Sequence, residues 1–362
     1  MPDPSAPSVD VFADYPRVPR PVKKVIMYPK IQPDTVTGLY LLQSFGETLF
    51  PGIRQAPIEF WLTIPKDQDS KTLESEGVLL LDIGHGLFDH HAANEKLGKR
   101  IECLTTLIAK YLNIDTHPAL KKILAWTRRN DIEGIGTLSE DPLDRAFSLP
   151  NLLMLLNREY SAQPERVLKI ALELIAVHVR SEFHRMVGLP NEWDRLQREG
   201  KLLQFEAIQG PAELLGVALD SDDIGFASFI RTVKKKDIVV QRRTTGHTNI
   251  ITKQVRSLDL RPVIAALRIA EAKRKNVEIS SNREELQKPG RIPQIEEWYY
   301  DDAANTIQNG GAFPQGMTPT RLSPEEIVEI LKQNLPGGRI GWLKQSRARD
   351  LGASATGAGT EE

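Results

Sequence analysis

The chain has 362 residues, and its 47 Lys and Arg against 48 Asp and Glu leave a net charge of −1. This length exceeds one ordinary domain, so two domains are expected, and the balanced charge argues against a globally basic nucleic-acid binder. The single cysteine, Cys103, excludes a disulfide framework and a cysteine-based zinc cluster. Any metal site must therefore use His, Asp and Glu.

The two ends of the chain differ in composition from the rest. Residues 1–21 are rich in Pro and predict a disordered or extended leader, and the small, polar residues 345–362 predict a disordered tail. The sequence contains no apolar run of membrane-spanning length and no pattern of a secretory signal. We therefore expect a cytoplasmic protein without a membrane partner.

Residues 22–150 alternate short apolar runs with helical periodicity. Strands are predicted at 24–28, 58–64 and 77–82, and helices at about 36–45 and 101–112. The continuous apolar run that ends at residue 82 suits a parallel strand buried on both faces. This alternation predicts an α/β domain with a mainly parallel sheet flanked by helices.

The second half of the chain predicts a helical connector at 151–200 and a smaller C-terminal α/β domain at 201–344. In the connector, Pro164 suits the first position of an amphipathic helix. The C-terminal domain is predicted to contain a hairpin at 237–252, a helix at 260–275 and a helix that begins after a capping box at Ser323. The aromatic residues 298–300 either form part of a small core or stack on a base.

The chain's clearest chemical pattern follows the apolar strand that ends at Asp82. A carboxylate there is costly unless it is paired or bound to a metal. In open α/β sheets, ligands bind at the carboxyl ends of the strands. Gly84 and Gly86 permit a tight turn, which allows His85 to fold back beside Asp82.

Asp89, His90 and His91 follow directly and offer one carboxylate and two imidazoles. Such a set suits Mn²⁺, Mg²⁺, Fe²⁺ or Zn²⁺. The alternative is a buried Asp that caps a turn beside a solvated pair of His.

The tripeptide Asp89-His90-His91, placed after a hydrophobic strand that ends in Asp82, resembles the signature of the DHH phosphoesterases. This family includes exonucleases, oligoribonucleases, cyclic-dinucleotide phosphodiesterases and manganese-dependent pyrophosphatases. The resemblance spans roughly residues 22–275. It implies two α/β domains with a two-metal site in the cleft between them.

The resemblance also implies roles for individual residues. Asp82 matches the bridging ligand of the family, and His90 and Asp131 match further ligands of the metal pair. Asp34 matches the first Asp of the family's first motif. The remaining residues of the tripeptide, Asp89 and His91, would orient these ligands and take part in catalysis.

The first motif departs from the family's pattern at two positions. Lys30 stands where the family has His, and Val36 stands where it has a second Asp. A protonated Lys has no lone pair for a metal, so His85 is the candidate replacement ligand. Lys30 would otherwise bind substrate phosphate or be an ordinary surface charge, and Asp34 has the alternative role of a helix N-cap.

A second basic site is predicted in the C-terminal domain. Gly246-His247 resembles a reduced form of the Gly-Gly-His loop that grips the substrate phosphate in the family. Arg242 and Arg243 precede it and suit bidentate phosphate contacts. In residues 231–243, six basic residues against one Asp give a local charge of +5, although the turn at 234–236 is also explained as a solvated surface.

These patterns predict a metal-dependent phosphohydrolase that cleaves a phosphodiester of a short oligonucleotide or a cyclic nucleotide. Mn²⁺ is the favoured cofactor, with Mg²⁺ as the alternative, and a homodimer is compatible with the sequence. Two other functions stay open. One is a catalytically degenerate DHH fold that binds nucleotides or regulates a partner, and the other is a pyrophosphatase-like or exopolyphosphatase-like activity.

Overall fold

The computed structural model describes residues 11–13, 15–253, 258–310 and 316–337. It shows a mixed α/β protein, as predicted. The chain divides into two compact units, Met1–Val187 and Gly188–Glu362, which we call the N-terminal and C-terminal units. The predicted tail and the first ten residues of the predicted leader lie outside the described residues.

The N-terminal unit contains a three-stranded parallel sheet. Its strands are β1 (Lys24–Met27), β2 (Ile58–Phe60) and β3 (Val78–Leu81). β1 lies in the middle and pairs with both neighbours, and β3 is buried along its whole length, as its apolar run predicts. β2 is shorter than predicted because its partner β1 ends opposite Phe60.

The described residues of the N-terminal unit also form eight α-helices. They are α1 (Pro33–Phe45), α2 (Ser70–Ser75), α3 (His90–Leu97), α4 (Leu104–Tyr111), α5 (Lys121–Glu133), α6 (Pro142–Ala146), α7 (Leu149–Glu159) and α8 (Pro164–Phe183). α1 packs against α4, α5 and α8. Gly38 permits the close approach of α1 to α4, since a Cβ atom there would lie 2.8 Å from a side-chain carbon of Ile108.

The C-terminal unit contains a seven-stranded mixed sheet. Its strands are β4 (Leu203–Gln209), β5 (Ala212–Asp220), β6 (Ile238–Arg242), β7 (Thr248–Thr252), β8 (Gly290–Ile292), β9 (Ile295–Asp301) and β10 (Thr306–Gln308). The order across the sheet is β4-β5-β6-β7-β10-β9-β8, and β5 and β6 run parallel. The antiparallel pair of β6 and β7 confirms the predicted hairpin.

The C-terminal unit also contains five α-helices among its described residues. They are α9 (Leu189–Arg198), α10 (Phe226–Thr232), α11 (Arg261–Lys275), α12 (Arg283–Leu286) and α13 (Pro324–Asn334). The capping box is present at the start of α13, where Ser323 Oγ accepts from the Glu326 backbone N–H. Trp298 and Tyr300 on β9 are 0% and 1% exposed, so the structure favours the core interpretation of this aromatic segment.

The predicted helical connector is divided between the two units. Leu153 on α7 and Val167 on α8 join the core of the N-terminal unit, whereas Leu189 and Trp193 on α9 join a core of the C-terminal unit. Amphipathic helices bury their apolar stripe on whichever layer lies beside them, so helical periodicity alone does not separate a connector from a domain. In the described part of the chain, no helix has both the length and the apolar character needed to cross a membrane.

Part of the predicted leader follows the surface of the N-terminal unit. The backbone N–H of Arg20 donates to the Leu49 carbonyl at 2.8 Å, and the Tyr111 hydroxyl donates to the Pro16 carbonyl at 3.1 Å. Arg17 also donates to the side chain of Asn113. Residues 15–21 therefore match the extended alternative of the prediction.

Candidate metal centre

The loop that follows β3 begins at the carboxyl edge of the parallel sheet. β1 and β3 end in register, with Met27 opposite Leu81, and Asp82 is the first residue beyond β3. Asp82 adopts a left-handed backbone conformation with φ of 57°, which is unfavourable for a residue other than Gly, Asn or Asp. Its backbone N–H donates to the Phe88 carbonyl at 3.2 Å, so the loop closes on itself before α3 begins.

Asp89 is the N-cap of α3 and holds this loop in place. Its Oδ1 accepts from the backbone N–H of His91 at 2.9 Å, and its Oδ2 accepts from the backbone N–H of His85 at 2.8 Å. Both carboxylate oxygens of Asp89 are therefore engaged by the backbone. This geometry agrees with an orienting role for Asp89. A catalytic role for Asp89 stays a prediction.

Three carboxylates surround the buried ring of His90, whose side chain is 4% exposed. Nδ1 of His90 lies 2.7 Å from Asp82 Oδ1 and 4.0 Å from Asp34 Oδ2. Nε2 lies 3.6 Å from Asp131 Oδ2, which comes from the last turn of α5. The structure thus brings together four of the five residues that the sequence predicts as metal ligands.

Several polar atoms of this cluster are buried without a hydrogen bond. Among the described residues, Asp82 Oδ1, His90 Nδ1 and Asp131 Oδ2 have no hydrogen-bond partner. Although His90 Nδ1 and Asp82 Oδ1 lie 2.7 Å apart, their alignment does not make a hydrogen bond. Buried polar atoms without partners are rare and call for an explanation, and a cation held between them is one.

The geometry defines two overlapping groups that could hold a metal ion. Asp82, His90 and His91 form one group, and Asp34, His90 and Asp131 form the other. Within each group the ligand atoms lie within 4.8 Å of one another. His90 belongs to both groups, and the donor set of imidazole and carboxylate fits a borderline or hard divalent ion.

The pKa values of these side chains reflect the concentration of negative charge. Burial lowers the pKa of His90, but the contact with Asp82 and the charges of Asp131 and Asp34 outweigh burial and raise this pKa to about 9. Burial and the charge of Asp131 raise the pKa of Asp34 to about 6. Burial also raises the pKa of Asp131. The cluster therefore attracts a positive charge, whether a proton or a metal ion.

Asp34 does not cap its own helix, which was the alternative predicted for it. The N-cap of α1 is Gln32, and the Asp34 carboxylate instead accepts from two backbone N–H groups of α4. The distances are 2.7 Å from the Leu104 nitrogen and 2.9 Å from the Thr105 nitrogen. Asp34 thus caps a neighbouring helix and presents its carboxylate to the edge of the cluster.

Three residues that concern the predicted first motif lie outside the cluster: Lys30, Val36 and His85, the candidate replacement ligand. His85 has an exposed side chain and belongs to neither ligand group of the described residues. Lys30 is exposed in the loop after β1, and Val36 is buried in the core. Within the described residues, the imidazole that joins His90 in a ligand group is that of His91, which the sequence does not predict as a ligand.

The predicted phosphate loop of the C-terminal unit is held by hydrogen bonds of the His247 ring. His247 is buried, and its Nε2 donates to the Met317 carbonyl at 2.9 Å. Its Nδ1 therefore accepts from the Thr245 hydroxyl, also at 2.9 Å, in the neutral ring. Gly246 has φ of 85° at the tip of the turn. Both ring nitrogens of His247 have partners, Thr245 within the loop and the distant Met317 carbonyl, which favours a structural role.

The basic segment 231–243 is spread over several structural contacts. Arg231 donates to the Thr252 carbonyl at 2.8 Å, and Lys234 lies 3.7 Å from the Asp194 carboxylate. Arg242 and Arg243 are half-buried where β6 meets the turn. The charge of +5 along the chain is therefore not presented as one continuous patch.

Sequence reasoning missed the structural partners that hold the cluster. The start of α4 binds Asp34, and Arg100 donates to the backbone carbonyl of Asp131 at 3.0 Å. The two residues of each contact lie 31 to 71 residues apart in the sequence, so no local pattern predicts the contact.

Comparisons with known proteins identify no family. No protein-family model matches the chain, and no curated protein matches it. Among solved structures, an uncharacterized protein from Helicobacter pylori G27 matches at 9% identity and a TM-score of 0.25, over 86% of this chain and 98% of that chain. Similarity this weak says nothing about the fold or function of the present chain.

Proposed function

We propose that this protein is a metal-dependent phosphohydrolase of the DHH type, which cleaves a phosphodiester of a short oligonucleotide or a cyclic nucleotide. The observation that supports this function best is the convergence of Asp82, His90 and Asp131, whose buried polar atoms lie close together without hydrogen bonds. Their order along the chain, a strand-end Asp, an Asp-His-His tripeptide and an Asp on a later helix, also resembles that family.

The proposed metal ligands are His90 with either Asp82 and His91 or Asp34 and Asp131, because the ligand atoms within each of these groups lie within 4.8 Å of one another. Mn²⁺ is favoured over Mg²⁺ because an imidazole lies between the carboxylates. A divalent ion supplies positive charge against a phosphate and makes a nearby water more acidic. His91, which is exposed and has its ring 4.2 Å from that of His90, would accept or deliver protons at the surface of the cluster.

We propose that the site holds one ion. Both ligand groups contain His90, and one neutral imidazole offers a lone pair from only one ring nitrogen at a time. Asp34 already accepts two backbone hydrogen bonds. A pyrophosphatase-like or exopolyphosphatase-like activity needs the full pair of metals, so this alternative has less support.

We further propose that the N-terminal unit is the catalytic domain and that the C-terminal unit binds substrate through Arg242 and Arg243. His247 and Gly246 would then shape the turn that carries these two arginines, since the His247 ring bonds to Thr245 in the turn and to the Met317 carbonyl outside it. A cytoplasmic location and a nucleotide or short oligonucleotide as partner belong to the same proposal.

The direct test measures product release and metal content together. Purified protein with Mn²⁺ is incubated with a linear dinucleotide, a cyclic dinucleotide and pyrophosphate, and bound metal is counted by mass spectrometry. We expect hydrolysis of a nucleotide substrate and about one ion per chain. Asp82→Asn should lower the rate by about 100-fold or more, because it removes a ligand at the centre of the cluster.

The matched control is Asp115→Asn, which changes an exposed carboxylate outside both ligand groups. This variant should hydrolyse the substrate at the wild-type rate. A protein that binds no metal and releases no product from the panel would contradict the proposal.

A degenerate binding or regulatory module is the second candidate function. It is favoured by Lys30 and Val36, which leave the first motif without two of its expected ligands. This function predicts nucleotide binding without turnover, and Asp82→Asn would leave that binding unchanged.

A further inference from the structure

A groove of about 360 Å³ lies between the loop after β1 and the end of α7. Tyr28 and Lys30 line one wall, and Met154, Arg158 and Tyr160 line the other. Its volume falls within the range of small-molecule binding sites. No acidic residue is among the described residues that line it.

The groove begins at the same sheet edge as the candidate metal cluster. Met27 lies opposite Leu81 in the register of β1 and β3, so Tyr28 and Asp82 are the first residues beyond two neighbouring strands. Parallel strands are about 4.8 Å apart. Met154 also lines a second groove, which reaches the residue that precedes Asp131.

The two walls of the first groove are tied together by the side chain of Asn157. Its Oδ1 accepts from the backbone N–H of Ile31 at 2.9 Å, and its Nδ2 donates to the Ile31 carbonyl at 2.8 Å. This two-point contact joins α7 to the loop that carries Tyr28 and Lys30. The groove is therefore built before a ligand arrives, which reduces the entropic cost of binding.

The lining of the groove combines free positive charge with an aromatic surface. Lys30 and Arg158 are exposed, and neither forms a hydrogen bond or an ion pair with the described residues. Tyr28 is 41% exposed, which leaves its ring accessible. Arg166 lies 3.9 Å from the ring centre of Tyr160 and adds a third positive charge at the far end. Cations suit a phosphate, and an accessible ring suits the flat face of a base.

We propose that this groove binds a nucleoside monophosphate unit of the substrate, with Lys30 and Arg158 on the phosphate and Tyr28 against the base. This inference rests on the proposed function and names its substrate class, a nucleotide instead of pyrophosphate or polyphosphate. It also gives Lys30, which stands in the place of a metal ligand, a role in binding substrate.

The test measures binding to the full chain by calorimetry in the presence of EDTA, where no metal-dependent turnover takes place. The probes are adenosine 5′-monophosphate, adenosine and tripolyphosphate. We expect the monophosphate to bind more tightly than adenosine or tripolyphosphate. The double variant Lys30→Ala/Arg158→Ala should weaken its binding by about 10-fold or more, because two charge-assisted contacts are lost.

Two further comparisons assign the roles within the groove. Tyr28→Ala should weaken binding of the monophosphate by about 5-fold or more, and Tyr28→Phe should not, because stacking needs the ring and not the hydroxyl. The control Lys121→Ala/Arg185→Ala removes the same charges from exposed positions outside the groove and should change nothing.

Monophosphate binding that survives the double variant, or tripolyphosphate binding that is equally tight, overturns the inference. The same experiments separate it from the proposed function. Binding as expected without any hydrolysis in Mn²⁺ supports the groove and contradicts the hydrolase. Hydrolysis that is unchanged by the groove variants supports the hydrolase and contradicts the groove.

Discussion

At the scale of single residues, His90 carries the electrostatics of the candidate site. Its ring is buried, yet the surrounding carboxylates raise the pKa of the ring to about 9. A metal ion and this proton compete for the same lone pair. Both predictions at this scale follow from that competition.

The first prediction concerns the protein in EDTA. Because the pKa of His90 is about 9 in the folded state and 6.5 in an ordinary environment, the protonated ring stabilises the fold fully below pH 6.5. This contribution is lost as the pH rises from 6.5 through 9. We expect the melting temperature to fall over this window, measured by differential scanning fluorimetry.

Two variants separate the contribution of His90 from other titrating groups. His90→Gln should lack the fall in melting temperature between pH 6.5 and 9, whereas His85→Gln, at an exposed histidine outside the cluster, should keep it. Equal slopes in His90→Gln and the wild type would show that another group is responsible.

The second prediction concerns added metal. Mn²⁺ at 100 times its dissociation constant should raise the free energy of unfolding by about 2.7 kcal/mol. At a fixed Mn²⁺ concentration, the stabilisation should be larger at pH 8 than at pH 6, because less of the His90 proton remains to be displaced. Thermal melts with Mn²⁺ and with EDTA measure this difference. Asp82→Asn should abolish it, and an equal effect in that variant would place the ion elsewhere.

At the scale of elements, Asp34 links α1 to the start of α4. We predict that Asp34→Ala lowers the free energy of unfolding by about 2 kcal/mol, because it leaves the backbone N–H groups of Leu104 and Thr105 buried without an acceptor. Urea denaturation measures the loss. Asp69→Ala, which removes the exposed N-cap of α2, should cost about 1 kcal/mol or less. An equal cost for the two would contradict the buried linkage.

A second linkage joins α11 to the segment around β8. The buried guanidinium of Arg268 donates to the backbone carbonyls of Leu286, Lys288 and Gly290. Burial lowers the pKa of Arg268 to about 10, yet the group is held by several acceptors. One side chain therefore supplies the donors for three backbone carbonyls from the end of α12 to the start of β8.

We predict that Arg268→Leu lowers the free energy of unfolding by about 3 kcal/mol or more, because several buried carbonyls lose their donor at once. Chemical denaturation followed by tryptophan fluorescence measures this, since Trp298 lies against α11. Arg283→Leu, at an exposed position of α12, should change the stability by about 0.5 kcal/mol at most. A similar loss in both variants would contradict the role of Arg268.

At the scale of the whole molecule, local patterns predicted several elements correctly. The parallel strands β1 and β3, the start of α8 at Pro164, the hairpin of β6 and β7 and the capping box of α13 all follow from periodicity or cap chemistry within a few residues. Local patterns do not predict the length of β2 or the division of the helices at 151–200 between two units. They depend on partners that are distant in the sequence.

The sequence by itself determined the chemistry available to this protein. With one cysteine and few histidines, any metal site must use carboxylates and imidazoles, and the strand-end Asp82 beside an Asp-His-His tripeptide gives the candidate position. Only the tertiary structure decided which candidates meet. Asp131 reaches His90, Asp34 binds the start of α4, and His85 is exposed and belongs to neither ligand group. The physical reason is that helix packing sets these contacts over tens of residues, whereas periodicity and turn chemistry act only within one element.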